Sequence, residues 1–499
     1  MDVSQLTSDV GRFVPVGFSV FAILLAFGSC TMLGRNTRGV NLWLSATLIL
    51  ACICTVLSFI QNAYSSTFQR AHSQIEHVST DTSSGGTEDE AVANISEVEP
   101  LESSLDLETS APPRAVTKGV LDSHHEVFSQ STSDGRYFNV TFGSHHAMNP
   151  NIIPHSSREN IWYITAQAYK ELDDNQRWFT ELICEASFRN GSLQCSEEPS
   201  ILPIASTSSL HCNGDLQFFD DNIGPHDARV FYGPDAPLIM YGSQSRHNCF
   251  GLWMQDFRRL VDLTHEPQTV QAFRMATDLE KPRSKNDVEK NWFVFWDADG
   301  QMYTHHDILP QRILARQFWD GSVGEDLAPT TGDLDSWCLG QHLGLQHGDG
   351  RVFHQATNSL AITMCSRRDS LCVQNNDNTF ILTIIQEKSY QDWHSVYEPY
   401  VVLFKQTAPF AIKSVSKKPI WIHGRKTADD ERRNPATPVG QKEMLYVTSV
   451  SWRDYGQKYH GYLDDVLFLN FGVEDSSAGS IDVVASDLLK YLGECDGPL

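Results

Sequence analysis

The sequence predicts an all-β fold, most simply a β-propeller, for residues 118–499. Short apolar strands alternate with turns in this region, and ARVFYGPDAPLIMYG places a Gly-Pro-Asp turn between two strands. The segments WFTELICEASFRNGSLQC and NWFVFWDADGQMYTH follow the same plan. Because hairpins recur over about 380 residues, and because radial repetition protects the edges of sheets, a closed propeller is the simplest architecture.

Further strands and a few short helices complete this region. Strands are predicted at SLAITMC, TFILTIIQE, YVVLFKQ, PIWIHG and MLYVTSVSW, and helical pattern is limited to QDFRRLVDL, ILARQFWD and VASDLLKYL. No regular internal repeat is visible, so the number of blades does not follow from the pattern.

Length and charge narrow the classes of function. The chain has 499 residues, a formal net charge of −24 and 41% hydrophobic residues, which suits several folded units or one large one. Its pI is about 5.1, and its largest basic cluster is centred on Arg432 and Arg433. Proteins that bind nucleic acid carry basic faces, so no nucleic-acid partner is expected.

Two apolar runs near the N-terminus predict a pair of transmembrane helices. Residues 13–33 and 42–60 are uncharged runs of 21 and 19 residues, about the length that crosses ~30 Å of hydrocarbon. The alternative is one membrane span followed by a buried core helix. Arg35 and Arg38 lie between the runs, and cationic loops stay cytoplasmic. Residues 1–12 and everything after residue 60 are therefore expected in the lumen.

Sequons, cysteines and an acidic segment agree with a lumenal location. Asn94, Asn139 and Asn190 each begin an Asn-X-Ser/Thr sequon. Residues 61–117 are acidic and rich in Ser and Thr, and they are predicted to form a disordered stem. An even number of cysteines follows, which suits disulfide bonds of unknown pairing. They are Cys184, Cys195, Cys212, Cys249, Cys338, Cys365, Cys372 and Cys495.

The segment NIGPHDARVF holds the main candidate for catalysis. Asp227 follows a Gly-Pro turn at the start of a strand, and Arg229 lies two residues further on. The two side chains would share one face of the strand, where Arg229 would stabilise a charged carboxylate. Asp227 is thus a candidate general acid or base. The alternative is an Asp/Arg turn that merely caps a hairpin.

The segment EKNW opens the next hairpin. Lys290 and Asn291 offer hydrogen-bond donors to an anion or to sugar hydroxyls, and Trp292 offers a flat face to a sugar ring. The alternative is an ordinary strand start with a core tryptophan. Asp297 and Asp299 form an Asp-X-Asp pair that is a weak candidate for a divalent metal, and a hairpin tip is the favoured interpretation.

A polar segment near the C-terminus, GQKYHGYLDD, is a further candidate site. Asp464 and Asp465 are candidates to hold sugar hydroxyls, and His460 is a candidate to contact a phosphate. The alternative is a polar loop.

Taken in order, these motifs resemble those of the mannoside phosphorylases and the fungal β-1,2-mannosyltransferases. GPHDARVF is similar to their Gly-Pro-Glu-Asp-Pro-Arg signature, and SQSRHNCFGLWMQDFRRL to the strand that follows it. EKNW is similar to their motif of the same letters, and HGYLD to their late Tyr-Gly-Ala-Ala-Asp stretch. The resemblance covers about residues 220–475. His226 replaces the family's Glu and Ala228 its Pro, so the sugar linkage stays open.

The resemblance implies a five-bladed β-propeller with its site at the central opening. It also implies an inverting reaction with Asp227 as the catalytic acid/base. Lys290 and Arg246 would contact phosphate, and Asp464 would hold sugar.

The residues and the resemblance together predict a Golgi-type, membrane-anchored glycosyltransferase. It would move mannose from GDP-mannose onto a glycan acceptor with inversion, with a divalent metal as an optional cofactor. The alternatives are a glycoside hydrolase or phosphorylase acting on β-mannosides, and a non-catalytic glycan-binding membrane protein. The expected site comprises Asp227 and Arg229 for catalysis, Lys290, Arg246 and His460 for the donor phosphate, and His226, Asn291, Trp292, Tyr462, Asp464 and Asp465 for sugar.

Overall fold

The computed structural model describes residues 116–117, 119–120, 122–171, 176–263, 272–282, 286–346, 350–391, 393–430 and 434–495. The two apolar runs, the Asn94 sequon and residues 61–115 of the predicted stem lie outside these ranges. Among the helices within them, none is both long enough and apolar enough to cross a membrane.

Strands dominate the described residues, which confirms the all-β prediction. In the first half of the chain order they are β1 (His125–Val127), β2 (Phe138–Thr141), β3 (Met148–Pro154), β4 (Trp162–Glu171), β5 (Arg177–Arg189), β6 (Ser192–Cys195), β7 (Ser200–Ile201), β8 (Asn222–Ile223), β9 (His226–Tyr232), β10 (Pro237–Gln244), β11 (Phe250–Asp256), β12 (Thr277–Asp278) and β13 (Phe293–Trp296). The others are β14 (Met302–Asp307), β15 (Ile313–Gln317), β16 (Val323–Asp326), β17 (Val352–His354), β18 (Leu360–Thr363), β19 (Thr379–Gln391), β20 (His394–Lys405), β21 (Ile412–Ser416), β22 (Ile420–Ile422), β23 (Leu445–Trp452), β24 (His460–Tyr462), β25 (Val466–Val473), β26 (Ser477–Val484) and β27 (Leu492–Glu494).

The described sheets contain repeated groups of four strands. Strands β9 to β12 form one antiparallel sheet, and β13 to β16 form a second. A third sheet contains β18 to β21 as antiparallel neighbours, with β24 and β27 added at its edges. The largest sheet joins β3-β4-β5-β6 to β2-β26-β25-β23 through a parallel pair between β2 and β6. The number of blades stays a prediction.

The apolar core lies between these groups. Met240 of β10, Phe295 of β13 and Phe404 of β20 belong to one buried cluster, so three different sheets share it. Trp421 and Trp452 are each 1% exposed. Burial of such large side chains is worth about 25 cal/mol per Å² of apolar surface, and it holds the sheets around the site described below.

Helices are short, and they differ in part from the predicted ones. The described α-helices are α1 (Phe218–Asp221), α2 (Gly332–Leu343) and α3 (Ala485–Leu488). The prediction at VASDLLKYL is confirmed over α3. The prediction at ILARQFWD is wrong, because β15 pairs there with β14 and β16. QDFRRLVDL holds only the end of β11 and the 3₁₀ turn Phe257–Arg259.

Four disulfide bonds confirm the expectation from the cysteine count. They join Cys184 to Cys195, Cys212 to Cys249, Cys338 to Cys495, and Cys365 to Cys372. His342 lies beside the Cys338–Cys495 pair, and these three residues form the described group that could hold a metal ion. Their two sulfur atoms are bonded to each other, so they are not thiolate ligands.

The Cys338–Cys495 bond is expected to stabilise the fold strongly, because it spans 157 residues. Chain-entropy arguments give about 5 kcal/mol for a loop of this length and about 2.5 kcal/mol for a loop of seven or eight residues. Replacing Cys338 and Cys495 together by Ser should therefore lower the free energy of unfolding about twice as much as replacing Cys365 and Cys372. Denaturant melts of the two double variants give the comparison, and equal losses would contradict the loop-length argument.

Candidate active site

A pocket lies where the ends of several strands meet. Strands β9, β10, β11 and β23 line it, together with the residues just before β13 and β18. The lining residues are His226, Asp227, Arg229, Gly242, Phe250, Leu252, Lys290, Asn291, Ala356, Tyr446 and Thr448.

A β-bulge places Asp227 in this pocket. Met240 pairs with Arg229 and Gly242 pairs with His226, so two residues of β9 lie opposite one residue of β10. Asp227 has a φ of +49°, a left-handed conformation that Asp tolerates better than most residues. Bulges of this kind re-aim a side chain, and this one directs the Asp227 carboxyl away from the regular alternation of the strand. The Gly-Pro turn before it needs Gly224, because a Cβ there would lie 2.1 Å from a backbone oxygen.

A second bulge, in β3, supplies the partner of Asp227. Asn149 has a φ of +54° and lies in the break between two register pairs of β3 with β4. Its Nδ2 donates a hydrogen bond of 2.8 Å to Oδ1 of Asp227. Gly472 of β25 allows this approach, because a Cβ there would lie 2.2 Å from Oδ1 of Asn149. The two bulges together fix the carboxylate of Asp227.

The backbone of Asp227 rests on a buried polar pair in β4 and β5. Its amide donates a hydrogen bond of 2.7 Å to Oε1 of Gln167. Glu181 is the cross-strand partner of Gln167, is 0% exposed, and accepts a hydrogen bond of 3.4 Å from the Ala228 amide. Burial, and then the charge of Asp227, raises the pKa of Glu181 well above its ordinary value. A buried carboxyl group without a cationic partner is stable only in its neutral form.

Arg229 is a buried cation in the wall of the pocket. It is 4% exposed, and its Nη1 donates a hydrogen bond of 2.6 Å to the carbonyl of Trp292. Burial lowers the pKa of Arg229 to about 10, so the guanidinium stays charged at neutral pH. Among the described ion pairs none joins Arg229 to Asp227, although the charges of Tyr446 and Asp227 partly offset the lowering of the Arg229 pKa by burial. Arg229 therefore links the start of β13 to β9.

A chain of hydrogen bonds orders the opposite wall of the pocket. The Tyr446 hydroxyl donates a hydrogen bond of 3.0 Å to Oδ1 of Asn291, and Nδ2 of Asn291 donates one of 3.0 Å to Nδ1 of His354. Burial, followed by the charges of Lys388 and Lys290, lowers the pKa of His354 to about 4. His354 is therefore a neutral acceptor, and Asn291 is held from both sides.

Lys290 brings a free charge to the pocket, and Asp475 lies outside its lining but interacts electrostatically with Asp227 and Lys290. Lys290 is exposed and makes no hydrogen bond or ion pair with the described residues. The residue Asp475 is exposed overall, but neighbouring groups surround its carboxyl. This partial burial, and then the charge of Asp227, raise the pKa of the carboxyl. His226 stays neutral at physiological pH, because burial lowers its pKa to about 4.

The structure brings together one part of the predicted set and separates the rest. His226, Asp227, Arg229, Lys290 and Asn291 line the pocket. The remaining predicted residues, which are Arg246, Trp292, His460, Tyr462, Asp464 and Asp465, are not in its lining.

Arg246 and Trp292 lie near the pocket-lining strands but are engaged elsewhere. The backbone amide of Arg246 donates a hydrogen bond of 2.9 Å to Asp278, and its side chain is exposed beside the same carboxyl. Trp292 is 1% exposed within the shared core, and its ring packs against His306 at 4.6 Å between centroids.

The late polar segment is organised around Arg367. Asp465 accepts hydrogen bonds of 3.0 and 2.6 Å from this guanidinium, which also lies over the Tyr462 ring. Asp464 accepts a hydrogen bond of 2.6 Å from the Arg367 amide. His460 contacts Oγ1 of Thr363 through its Nε2 atom at 2.7 Å.

The remaining candidates lie in turns or on the surface. Oδ1 of Asp297 accepts hydrogen bonds from the amides of Asp299 and Gln301, which is the pattern of a hairpin tip. The sequon residues Asn139 and Asn190 are both exposed.

Several residues of the site lie outside the motifs that the sequence singles out. The fold brings these residues to the site from other parts of the chain. They are Asn149, Gln167, Glu181, His354 and Tyr446. The Asn149-Pro150 dipeptide was the available signal, since such pairs mark turns or irregular backbone.

Glu181→Gln tests the neutral form of the buried acid. Because the pKa of Glu181 exceeds its ordinary value of 4.5 in the folded chain, the folded state keeps a proton that the unfolded state loses. Stability due to this group is therefore constant below pH 4.5 and falls as pH rises toward the folded pKa. The variant should gain stability relative to wild type by up to about 1.4 kcal/mol per pH unit above pH 5.

Denaturant melts between pH 5 and 8 measure this difference. Glu197→Gln, at an exposed position, is the matched control and should track wild type. Parallel pH profiles for Glu181→Gln and wild type would show that Glu181 is ionised in the fold.

Comparisons with known proteins give similar structures but no family. No protein-family model matches the chain, and no curated protein sequence matches it. β-1,2-Mannobiose phosphorylase from Listeria innocua is similar at 13% identity and a TM-score of 0.39, over 70% of this chain and 92% of that chain. The GH62 α-L-arabinofuranosidase domain of Coprinopsis cinerea is similar at 10% identity and a TM-score of 0.35, over 70% of this chain and 96% of that chain. A thermostable family-43 glycoside hydrolase is similar at 9% identity and a TM-score of 0.30, over 69% of this chain and 91% of that chain.

These comparisons correct the prediction of a glycosyltransferase, which is wrong. The similar structures are those of a phosphorylase and of glycoside hydrolases. None of the three is a fungal mannosyltransferase.

Proposed function

We propose that the chain cleaves glycosidic bonds, as a glycoside hydrolase or phosphorylase acting on β-mannosides. The observation that carries this proposal is the Asp227 carboxylate, fixed by Asn149 on two facing bulges and open to a pocket. Strained backbone around a positioned carboxylate is characteristic of functional sites. The choice of β-mannosides rests on the motif likeness of residues 220–475.

Two carboxyl groups divide the chemical work in the hydrolytic form of this proposal. Asp475 is not in the pocket lining, but burial and then the charge of Asp227 raise the pKa of its carboxyl, so we assign to it the proton that goes to the leaving glycosidic oxygen. Asp227 accepts a hydrogen bond from Asn149, which orients its carboxylate for general-base catalysis. It takes the proton of an attacking water as the new bond to the anomeric carbon forms and the glycosidic bond breaks.

Lys290 favours a second form, in which phosphate attacks instead of water. It is exposed and unpaired within the described residues, and its charge reaches both His226 and His354. A free ammonium in a pocket attracts an anion. In this form Lys290 holds the phosphate, and a phosphate oxygen bonds to the anomeric carbon as the glycosidic bond breaks. Asp227 acts as the acid and gives a proton to the leaving oxygen, so the products are a sugar phosphate and the shortened glycan.

Asn291, Tyr446 and His226 are the proposed sugar contacts of this pocket. Asn291 and Tyr446 are already ordered by their hydrogen bond to each other, so little entropy is lost when they bind hydroxyl groups.

The four-stranded groups of the sheets are consistent with five blades, and we propose that this pocket is the central opening of a five-bladed propeller.

A secretory-pathway membrane is the proposed location of the chain. Four disulfide bonds and two exposed sequon residues support a lumenal position for the described part. The proposed membrane anchor is the pair of apolar runs, residues 13–33 and 42–60. The proposed partner of the chain in this compartment is a glycan substrate.

One incubation separates the two forms of the proposed activity. The purified full chain is mixed with β-linked manno-oligosaccharides in ¹⁸O-labelled water, with and without phosphate. Hydrolysis gives free mannose that carries ¹⁸O without any need for phosphate. Phosphorolysis gives mannose 1-phosphate and stops when phosphate is omitted. If neither product forms with any β-mannoside, the proposed function is wrong.

A further inference from the structure

A second pocket lies at the other end of the strands that form the Asp227 site. Its volume is about 570 Å³, within the range of pockets that bind small molecules. It is lined by Pro234, Trp296, Asp297, Ala298, Gly300, Ala361, Arg367, Gln374, Asn375, Asn376, Gln406, Gly456, Gln457, Lys458, Tyr459 and His460.

Two strands connect the two pockets. Strand β9 begins in the first pocket at His226 and is followed by Pro234 in the second. Asn291 precedes β13 in the first pocket, and Trp296 and Asp297 end it in the second. Six residues of extended chain at ~3.3 Å each separate the two pockets by roughly 20 Å. A ligand in the second pocket is therefore out of reach of the Asp227 carboxylate.

Amide side chains make up about half of the polar residues that line the second pocket. Five of them line it, and they are Gln374, Asn375, Asn376, Gln406 and Gln457. An amide both donates and accepts hydrogen bonds, which matches the hydroxyl groups of a sugar. Nε2 of Gln406 donates a hydrogen bond of 3.0 Å to Oδ1 of Asn376, so part of this array is already ordered.

The charged groups around the pocket argue against an anionic ligand. The Arg367 guanidinium is neutralised by its two hydrogen bonds to Asp465. Burial, followed by the charge of Arg367, lowers the pKa of His460, so this residue is neutral at physiological pH. Asp297 adds a negative charge to the lining and Lys458 a positive one. The lining therefore carries no excess of positive charge that would attract a phosphate.

The geometry points to a binding site for a neutral oligosaccharide in the second pocket. Aromatic rings accompany the amides, with Trp296 and Tyr459 in edge-to-face contact at 4.9 Å between centroids. Trp296 and Tyr459 are only 9% and 5% exposed, so they form an apolar wall, and the amides beside them supply the hydrogen bonds to sugar hydroxyl groups. This site is distinct from the proposed catalytic pocket and does not depend on its activity.

The test measures binding without turnover. The full chain with Asp227→Asn is titrated by calorimetry with mannotriose, cellotriose and chitotriose, and with pyrophosphate as the anionic probe. Gln374→Ala with Asn376→Ala removes two exposed amides and should weaken binding of the preferred trisaccharide at least tenfold. Ala298→Trp fills the exposed mouth and should have the same effect.

Binding that persists unchanged in both variants would overturn the proposal, and so would the absence of saturable binding of any trisaccharide. Pyrophosphate binding that the variants abolish would identify an anion site instead. Asp235→Asn, at an exposed turn outside both pockets, is the control for nonspecific effects. Because the readout is binding, failure here leaves the proposed activity of the Asp227 pocket standing, and loss of that activity leaves this site standing.

Discussion

Asp227→Asn is expected to abolish measurable cleavage of a β-mannoside while leaving the fold intact. Asn keeps the size of the side chain, tolerates the φ of +49° and still accepts the hydrogen bond from Nδ2 of Asn149. It cannot take up a proton at neutral pH. Loss of a general base or acid costs about 10²–10⁴ in rate, and thermal melts together with turnover on one preparation measure both effects.

Asp235→Asn is the matched control for this experiment. It makes the same chemical change at an exposed turn position and should leave both activity and melting temperature at wild-type values. If Asp227 only caps a hairpin, Asp227→Asn should instead lower stability by about 1 kcal/mol and spare activity. That result would remove the catalytic assignment.

Lys290→Ala is expected to lower turnover by about 10²–10³ with no loss of stability. Of the two cations that line the Asp227 pocket, only Lys290 is exposed, because Arg229 is buried against the Trp292 carbonyl. A positive charge in a partly desolvated pocket stabilises an anion more strongly than it would in water. Steady-state kinetics with varied phosphate should place the loss in the phosphate-dependent reaction if phosphate is the attacking group.

Lys170→Ala, at an exposed position of β4, is the control for the loss of one surface charge. Wild-type kinetics in Lys290→Ala would show that the EKNW segment is an ordinary strand start. Unchanged melting temperatures in both variants are required for either conclusion.

The fold class could be predicted from the sequence because its signals are local. Each hairpin carries its own turn residues and its own apolar run, so β9 with β10 and β13 with β14 were correctly predicted. The segment Ile313–Gln317 was wrongly predicted to be helical, because only its pairing with β14 and β16 makes it a strand. Helix α2 was missed because GDLDSWCLGQHL has little amphipathic pattern.

The site was predictable only where its chemistry is contiguous in sequence. Asp227 and Lys290 lie in recognisable segments, and the structure places both in one pocket. Asn149, Gln167 and Glu181 act through a bulge and through cross-strand pairing, which arise from tertiary structure. His460 and Lys290 both suggested phosphate chemistry from sequence, yet they line two different pockets, because residue type alone does not say which end of a strand a side chain occupies.

The proposed function requires that the Asp227 pocket breaks a glycosidic bond. The most direct test is a time course of product release from a β-linked manno-oligosaccharide, with wild-type chain and Asp227→Asn at equal concentration. Wild type should release mannose or mannose 1-phosphate steadily, and the variant should release neither. Equal release by the two proteins, or no release by wild type, would contradict it.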